Sequence, residues 1–567
     1  MSGAAYNGCA PLAAEPTSFD LLPLELRLKC LASCDWQTLA RVSCVNRSTR
    51  GLVTYLVRTP YWRTYGEEVP AVLTTDFATD EERQAACSKW AAGMASKLCG
   101  RGKPDICFVF ASASGCANLP IMLKALRASM ARCTLLAGVV APGVLGRDTE
   151  DGTVKEIDGL ERVGLVVSVV HLPPGCTVDA ALITHGLTAD WSDPNWQPPQ
   201  GSLPEGPARH PRTWLMLSDR HAHVDDVLQE ISRRYPREPV CGGMGGSTDH
   251  AASSLLVGLP GRLPGQPLHA EVTSGTLLIG ISGPGVEAVP MTSRGMRCIS
   301  QRYMVSQVST NVDLAPVGRV TLVQQLQNSI SLATGTDALK WVPVGGSFTP
   351  TSALVASLQA QGPHVAPRAP LFFGVRSPGS SRQLDDPTRM VMLQMHDPNN
   401  LMRTSGYVSV QHAVDRGMLA AFYTPEPILS MRHLRNRLEA ARPLMNQRAS
   451  HRPEDFCTLH HNDDSLHRLL SAEPEPVYGC LMFPCVAKGS SYYDEPDVES
   501  KLVQVAFPNA ALCGFFCNGE IGPTPADELS PTHSAGGEKR AHMMGYSTVV
   551  YMLKLTPGPP LPPEWTR

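Results

Sequence analysis

Apolar residues recur along this chain in two rhythms. Between positions 19 and 56 they return every three or four residues: Leu39, Val42 and Val45 share one face behind Asp35, a side chain suited to cap a helix N-terminus. Pro23 fits the first turn of an earlier helix, where its missing N–H is no loss, and a third segment carrying Leu52, Tyr55 and Leu56 stops before Pro60. The spacing predicts three short helices within residues 17–66, a small all-α unit. Leu21, Leu22, Leu24, Leu26, Leu28 and Leu31 are more leucines than such a unit can hide, so some are expected to face a partner.

From about residue 104 the rhythm changes to short apolar runs closed by glycine. TWLMLSD (213–219) reads as a strand, and Val224, Val227, Leu228, Ile231 and Tyr235 follow at helical spacing. Pro236 closes that helix and Val240 leads into CGGMGG (241–246). A shift of 272 residues lays a related pattern over it. There CLMFPC (480–485) supplies the strand, DVESKLVQVAFP (497–508) the helix, and Leu512-Cys513-Gly514 stands where Val240-Cys241-Gly242 stood. A looser copy runs from CFVFAS (107–112) through NLPIMLKALRASM (118–130) to CTLLAGVVAPG (133–143). The pattern predicts a multidomain α+β or α/β chain, a helical unit followed by mixed sheets and helices.

Composition narrows the picture. A chain of 567 residues is too long for one core and implies two to four domains. Lys and Arg number 49 against 52 Asp and Glu, a net charge of −3, which argues against nucleic acid or an anionic membrane as the main partner. The opening MSGAAYNGCAPLAAEPTS lacks a basic start followed by an apolar run, and stretches such as VGLVVSVV (163–170) are far below the ~18 residues of a membrane span. An odd count of 17 cysteines reads as reduced thiols. The expected setting is soluble and intracellular, cytoplasmic or nuclear. Residues 1–16 are expected to be a disordered tail, 67–103 a linker of helix plus loop, and the Pro-, Gly- and Ser-rich stretches 189–211 and 524–541 mobile insertions.

Phe19, Leu22-Pro23, Glu25-Leu26, Leu31, Leu39, Val42, Val45 and Arg47 resemble an F-box, the module that docks the Skp adaptor of cullin-based ubiquitin ligases. Ser48-Thr49 stand where that family usually has an aromatic residue. The resemblance implies adaptor contact through Leu22, Pro23, Leu26, Leu31, Leu39 and Val45. Further on, LLAGVVAPGVLG (135–146), PVCGGMGG (239–246) and GMRCISQRYMV (295–305) resemble the N-terminal type of FIST domain. YGCLMFPCVAKG (478–489), CGFFCNGEIGP (513–523) and MGYSTVVYMLKL (544–555) resemble the C-terminal type. That family often has Asn-Gly-Arg-Gly at Val486–Gly489 and His-Gly-Tyr at Met544–Tyr546. The resemblance implies a FIST N-terminal-type domain over 104–310 and a C-terminal-type domain over 311–560, modules associated with intracellular ligand sensing.

Few residues carry chemistry of their own. Cys513 and Cys517 on one strand would stand ~13 Å apart, too far for one metal ion or a disulfide. Glu520 is expected at a strand end, between Asn518-Gly519 and Gly522, either accepting N–H bonds from its own turn or open to an ammonium group; Gly479, Asn518, Gly519, Glu520 and Gly522 are the candidate ligand- or substrate-binding residues. CGGMGG lacks the Gly-Lys-Ser/Thr ending of a phosphate loop and reads as close backbone packing. CTLHHNDDSLH (457–467) reads as a solvated loop starting a helix. No GxSxG or HExxH motif occurs, so no catalytic residue, metal or cofactor is expected. Two functions fit. One is the substrate-recognition adaptor of a Skp–cullin–F-box ubiquitin ligase, partnering the Skp adaptor, the cullin scaffold and a protein substrate. The alternative is an intracellular sensor of an amino-acid-like small molecule.

Overall fold

A computed structural model describes residues 59–99, 104–183, 200–201, 212–310, 318–324, 371–376, 389–392, 418–445, 476–523 and 541–557 with short internal breaks, and five helical positions nearer the N-terminus: Arg27, Cys30, Leu31, Arg41 and Thr49. Leu22, Pro23, Leu26, Leu39 and Val45 lie outside the described residues, as does 457–467. Leu31 is helical and 2% exposed.

Three units of the same design follow one another. The first comprises β1 (Tyr61–Glu68), a helical turn Ala71–Thr74, α1 (Asp80–Leu98), β2 (Ile106–Ser112), α2 (Leu119–Ser129), β3 (Leu135–Ala141), the hairpin β4–β5 (Val144–Arg147, Val154–Ile157) and β6 (Gly164–His171). The second has β7 (Thr177–Ile183), a short β8 (Gln200–Gly201), β9 (Arg212–Ser218), α3 (Val224–Arg234), β10 (Val240–Met244), the hairpin β11–β12 (Leu255–Gly258, Glu271–Thr273) and β13 (Thr276–Ser282). The third opens with β14 (Val286–Ser293). An inserted sheet follows, built from β15 (Met296–Cys298), β16 (Tyr303–Thr310), β17 (Gly318–Gln324), β18 (Phe372–Arg376), β19 (Arg389–Met392) and β20 (Leu419–Pro425), and then α4 (Pro427–Leu444). The unit resumes with β21 (Val477–Pro484), α5 (Val498–Ala506), β22 (Ala511–Phe515), the hairpin β23–β24 (Glu520–Pro523, Ala541–Met544) and β25 (Thr548–Leu555).

Each unit places its strand–helix–strand pair in parallel, β2 with β3, β9 with β10 and β21 with β22, and lays its last strand antiparallel beside the first of the pair. The hairpins do not stay at home. β4–β5 joins β22, β23–β24 joins β10, and β11–β12 joins β3. The exchange is cyclic, each unit completing the sheet of another. Edge strands are passed on as well: β7 follows β6 in the chain but pairs with β13, and β14 follows β13 but pairs with β25.

One backbone feature recurs at the centre of each sheet. A Cβ on Gly138, Gly242 or Gly514 would stand 1.7–1.8 Å from the carbonyl oxygen of Val109, Met216 or Met482, its partner on the parallel strand. Only glycine tolerates that approach. Opposite each glycine sits a fully buried aliphatic side chain of the incoming hairpin: Leu256, Ile521 and Leu145. The recurrence suspected from sequence is therefore a structural repeat, and the looser copy is its first member.

The strands read as continuous apolar runs because both faces of each sheet are covered. On β2, Ile106, Phe108 and Phe110 point into a core shared by all three sheets, with Leu215 and Ile279 of the second sheet and Leu481, Phe515 and Tyr551 of the third. Cys107, Val109 and Ala111 point outward beneath α1 and α2. α3 covers the second sheet and α4 with α5 the third. The mixed sheet-and-helix class is as expected. Two segments differ from their expected places. Tyr61–Glu68, partly inside the expected helical unit, pairs with β6, and its Trp62 donates from Nε1 to Ser168 at 2.8 Å. Residues 67–103, expected as a linker of helix and loop, do contain a helix, α1, but its Cys87, Ala91, Met94 and Leu98 are buried against the first sheet, so the segment is part of the first unit. Among the described residues no helix is long and apolar enough to cross a membrane.

The 310/311 boundary falls between β16 and β17, which pair as a hairpin, while the third sheet takes β4, β5 and β14 from before it and β21, β22 and β25 from after it. Separate expression of 1–310 and 311–567 is expected to give two chains without cooperative urea transitions, and co-expression to restore one. Gly242→Ala is expected to lower the unfolding free energy by ~3 kcal/mol in urea titrations, since neither backbone can retreat within a paired sheet.

Candidate functional site

The parallel strands β21 and β22 end side by side, and four segments meet beyond them: 485–490, 516–520, 544–548 and the start of α5. Backbone bonds lock the junction. Cys517 N donates to Pro484 O at 2.7 Å, Val486 N to Cys517 O at 2.9 Å, and Cys485 N to Ser547 O at 2.9 Å.

Glu520, the first residue of β23, lies here fully buried. One carboxylate oxygen, Oε2, accepts from the Ser547 amide at 3.1 Å and its hydroxyl at 2.8 Å. The other, Oε1, has no hydrogen-bond partner. Burial raises its pKa to about 8, against the opposing pull of the Ser547 bonds, the adjacent Cys485 thiol and the charge of Lys488. The Cys485 thiol is itself pushed far up, by burial first and by Glu520 second.

Beside it lies a buried ion pair. Lys488 Nζ donates to Glu499 Oε1 and to Thr548 Oγ1, each at 3.0 Å. Glu499 also accepts from Thr548 at 2.7 Å and from the Tyr493 hydroxyl at 2.6 Å, so this charge pair is fully partnered. The exchanged hairpin closes the far side. Glu156 accepts from the amide and hydroxyl of Ser500 at 2.8 and 2.6 Å, and Asp497 accepts from the Glu156 amide at 2.6 Å. Burial lifts Glu156 to about 7 in spite of its bonds to Ser500. Asp158 accepts from Ser490 and occupies the space a Cβ on Gly489 would need.

The five candidate residues do not form one pocket. Glu520 takes its hydrogen bonds from Ser547 across the junction rather than from its own turn, and it is enclosed rather than open. Asn518 donates to the carbonyls of Gly245 and Gly246 at 3.3 and 2.9 Å, tying β23 to the end of β10. Neither Asn518 nor Gly519 is among the residues with positive φ; Gly519 lies against Met244 and Met543. Gly522 lies against Val549 and Thr292. Gly479 is at the other end of β21, where a Cβ would overlap the indole of Trp62, and takes no part in the junction. In CGGMGG, Gly242 and Gly245 lie against the carbonyls of Met216 and Val140. The described cysteines, Cys513 and Cys517 among them, are free. Among the described residues no three His, Cys, Asp or Glu side chains converge to hold a metal ion.

Lys488, Glu499, Ser547 and Glu156 escaped the sequence reading. Lys488 and Ser547 sit in the motifs VAKG and MGYST, where a polar residue inside an apolar string was a readable signal. Glu499 looks like any helix-surface carboxylate, and Glu156 acts from 344 residues away on Ser500.

Comparison with protein families agrees with this architecture. Residues 105–315 match the FIST N domain and residues 371–523 the FIST C domain. The chain carries both FIST domains; neither match reaches into residues 17–66. No curated protein matches the chain.

An acid whose pKa is higher folded than unfolded holds its proton more tightly in the folded state, so folding is favoured at low pH. Stability is lost as pH climbs from the ordinary 4.5 towards about 7 for Glu156 and about 8 for Glu520. Glu520→Gln, which keeps an acceptor for Ser547, is expected to be more stable than the native chain by a few kcal/mol at about pH 9 and nearly equal at about pH 5, read from urea titrations across pH. Lys488→Met strands Glu499 as a buried charge and is expected to cost ~3–5 kcal/mol in the same assay.

Proposed function

We propose that this chain is a non-catalytic recognition adaptor. Its FIST body holds a protein, while residues 17–66 dock the Skp adaptor of a cullin-based ubiquitin ligase and bring the held protein to the ubiquitin-transfer machinery. The observation that carries this reading is the run from Phe19 to Arg47, with Leu22-Pro23, Leu26, Leu39 and Val45 in F-box positions, on the same chain as the FIST pair. Tethering raises the effective concentration of substrate beside the conjugating enzyme, so the chain needs no catalytic group of its own.

A second reading has its own observation. The unpartnered Oε1 of Glu520, in a junction whose other polar groups are bonded to one another, favours a small-molecule sensor in which an ammonium group completes that carboxylate. Glu520 is enclosed, so such a ligand would enter only when the 544–548 segment opens. Both readings are compatible, with the small molecule governing which protein is held.

A pull-down of the full chain with the Skp and cullin subunits separates them. Leu22→Asp with Leu26→Asp is expected to abolish capture while leaving the thermal melt of the FIST body unchanged, because an unpaired carboxylate in an apolar contact costs several kcal/mol. Absence of capture by the native chain contradicts the adaptor reading. A saturable rise in melting temperature with one amino acid, lost in Glu520→Gln, supports the sensor.

A further inference from the structure

The outer face of α4 is exposed and basic. This helix buries Ser430, Leu434, Leu438 and Ala441 over the third sheet. On the opposite side Ile428, Arg432, Arg435, Glu439 and Arg442 are all exposed, at alternating spacings of four and three that hold them in single file. The helix carries Arg432, Arg435, Arg437 and Arg442 against one acid, Glu439, in a chain whose overall charge is −3. Among the described residues Arg432, Arg435 and Arg442 have no ion-pair partner, whereas Arg162 pairs with Glu68 and Arg297 with Glu426. From Arg432 to Arg442 the row is about 15 Å long.

Charge alone would mark a solvated face, but the row also carries an unburied apolar side chain. Ile428, one helical turn before Arg432, is 59% exposed.

We propose that this face binds an acidic protein segment: carboxylates at helical spacing opposite the three arginines, and an aliphatic side chain against Ile428. The guanidinium fork matches a carboxylate with two parallel bonds, which favours a partner presenting separate carboxylates. A bilayer or a nucleic-acid backbone fits less well, because Glu439 lies within the row and would face continuous negative charge. The surface stands whether or not the N-terminal helices dock a ligase.

The test uses the full-length chain and a labelled helical peptide with Leu at relative position −4 and Glu at relative positions 0, +3 and +10, read by fluorescence anisotropy. The triple variant Arg432→Glu, Arg435→Glu, Arg442→Glu is expected to bind it about tenfold or more weakly and to gain binding of the same peptide with Lys for Glu. A control of equal charge change on other faces, Lys89→Glu, Lys124→Glu, Lys155→Glu, is expected to stay within about twofold of the native chain. Melts of all three proteins establish that each is folded. Equal losses in both triple variants, or no binding of the acidic peptide by the native chain, overturn the proposal. So does stronger binding of phosphatidylserine vesicles or duplex DNA that vanishes with the α4 triple variant, which would assign the face to a different class of partner.

Discussion

Three pairs of parallel strands approach so closely that a carbonyl oxygen occupies the place a Cβ would take at Gly138, Gly242 and Gly514. Everything else in the FIST body is arranged around those contacts. Each glycine leaves its sheet without a side chain on the outward face, beneath the covering helices. The aliphatic side chain that faces it, Leu256, Ile521 or Leu145, comes from a different unit. The exchange makes every sheet depend on chain segments far apart in sequence, and it merges what would be three small cores into one. A single unit, deprived of its incoming hairpin, would expose an open edge on β3, β10 or β22.

The candidate site inherits its construction from that exchange. Glu520 opens the hairpin that leaves for the second sheet, and Glu156 lies on the hairpin that arrives at the third. Both are carboxylates drawn out of water at the junction between units, and both have pKa values raised by burial. The nearby Lys488–Glu499 pair is satisfied by Thr548 and Tyr493, so the junction combines a closed ionic network with one carboxylate oxygen left unbonded. A buried acid of this kind lowers stability at neutral pH. Its position at the carboxyl ends of parallel strands is where open α/β sheets ordinarily hold ligands.

How much of this was legible in the sequence depended on range. The helices beginning near Leu119, Val224 and Val498 and the strands around Phe108, Leu215 and Leu481 follow from periodicity, and the glycine in the strand after each helix betrayed the repeat. The hairpin exchange was not legible, because a strand such as Val144–Arg147 reads the same whether it pairs with its neighbour or with Cys513–Phe515. α1 was expected as a helix, but its packing against the first sheet was not readable, since that depends on tertiary contacts. Glu520 stood out as a carboxylate among glycines, but its enclosure depends on Cys485 and Ser547, which join it only through tertiary contacts. Gly479 was grouped with it on motif membership, while in the fold it serves Trp62 at the opposite end of the strand.

The exchanged hairpins make the FIST body one cooperative structure. Native-state hydrogen exchange across a series of low denaturant concentrations checks this. Amides of Val144–Arg147, Leu255–Gly258 and Ile521 are expected to open with the same free energy and the same denaturant slope as those of β2, β9 and β21. Hairpins that open earlier and with small slopes, leaving three sheets protected independently, would contradict it.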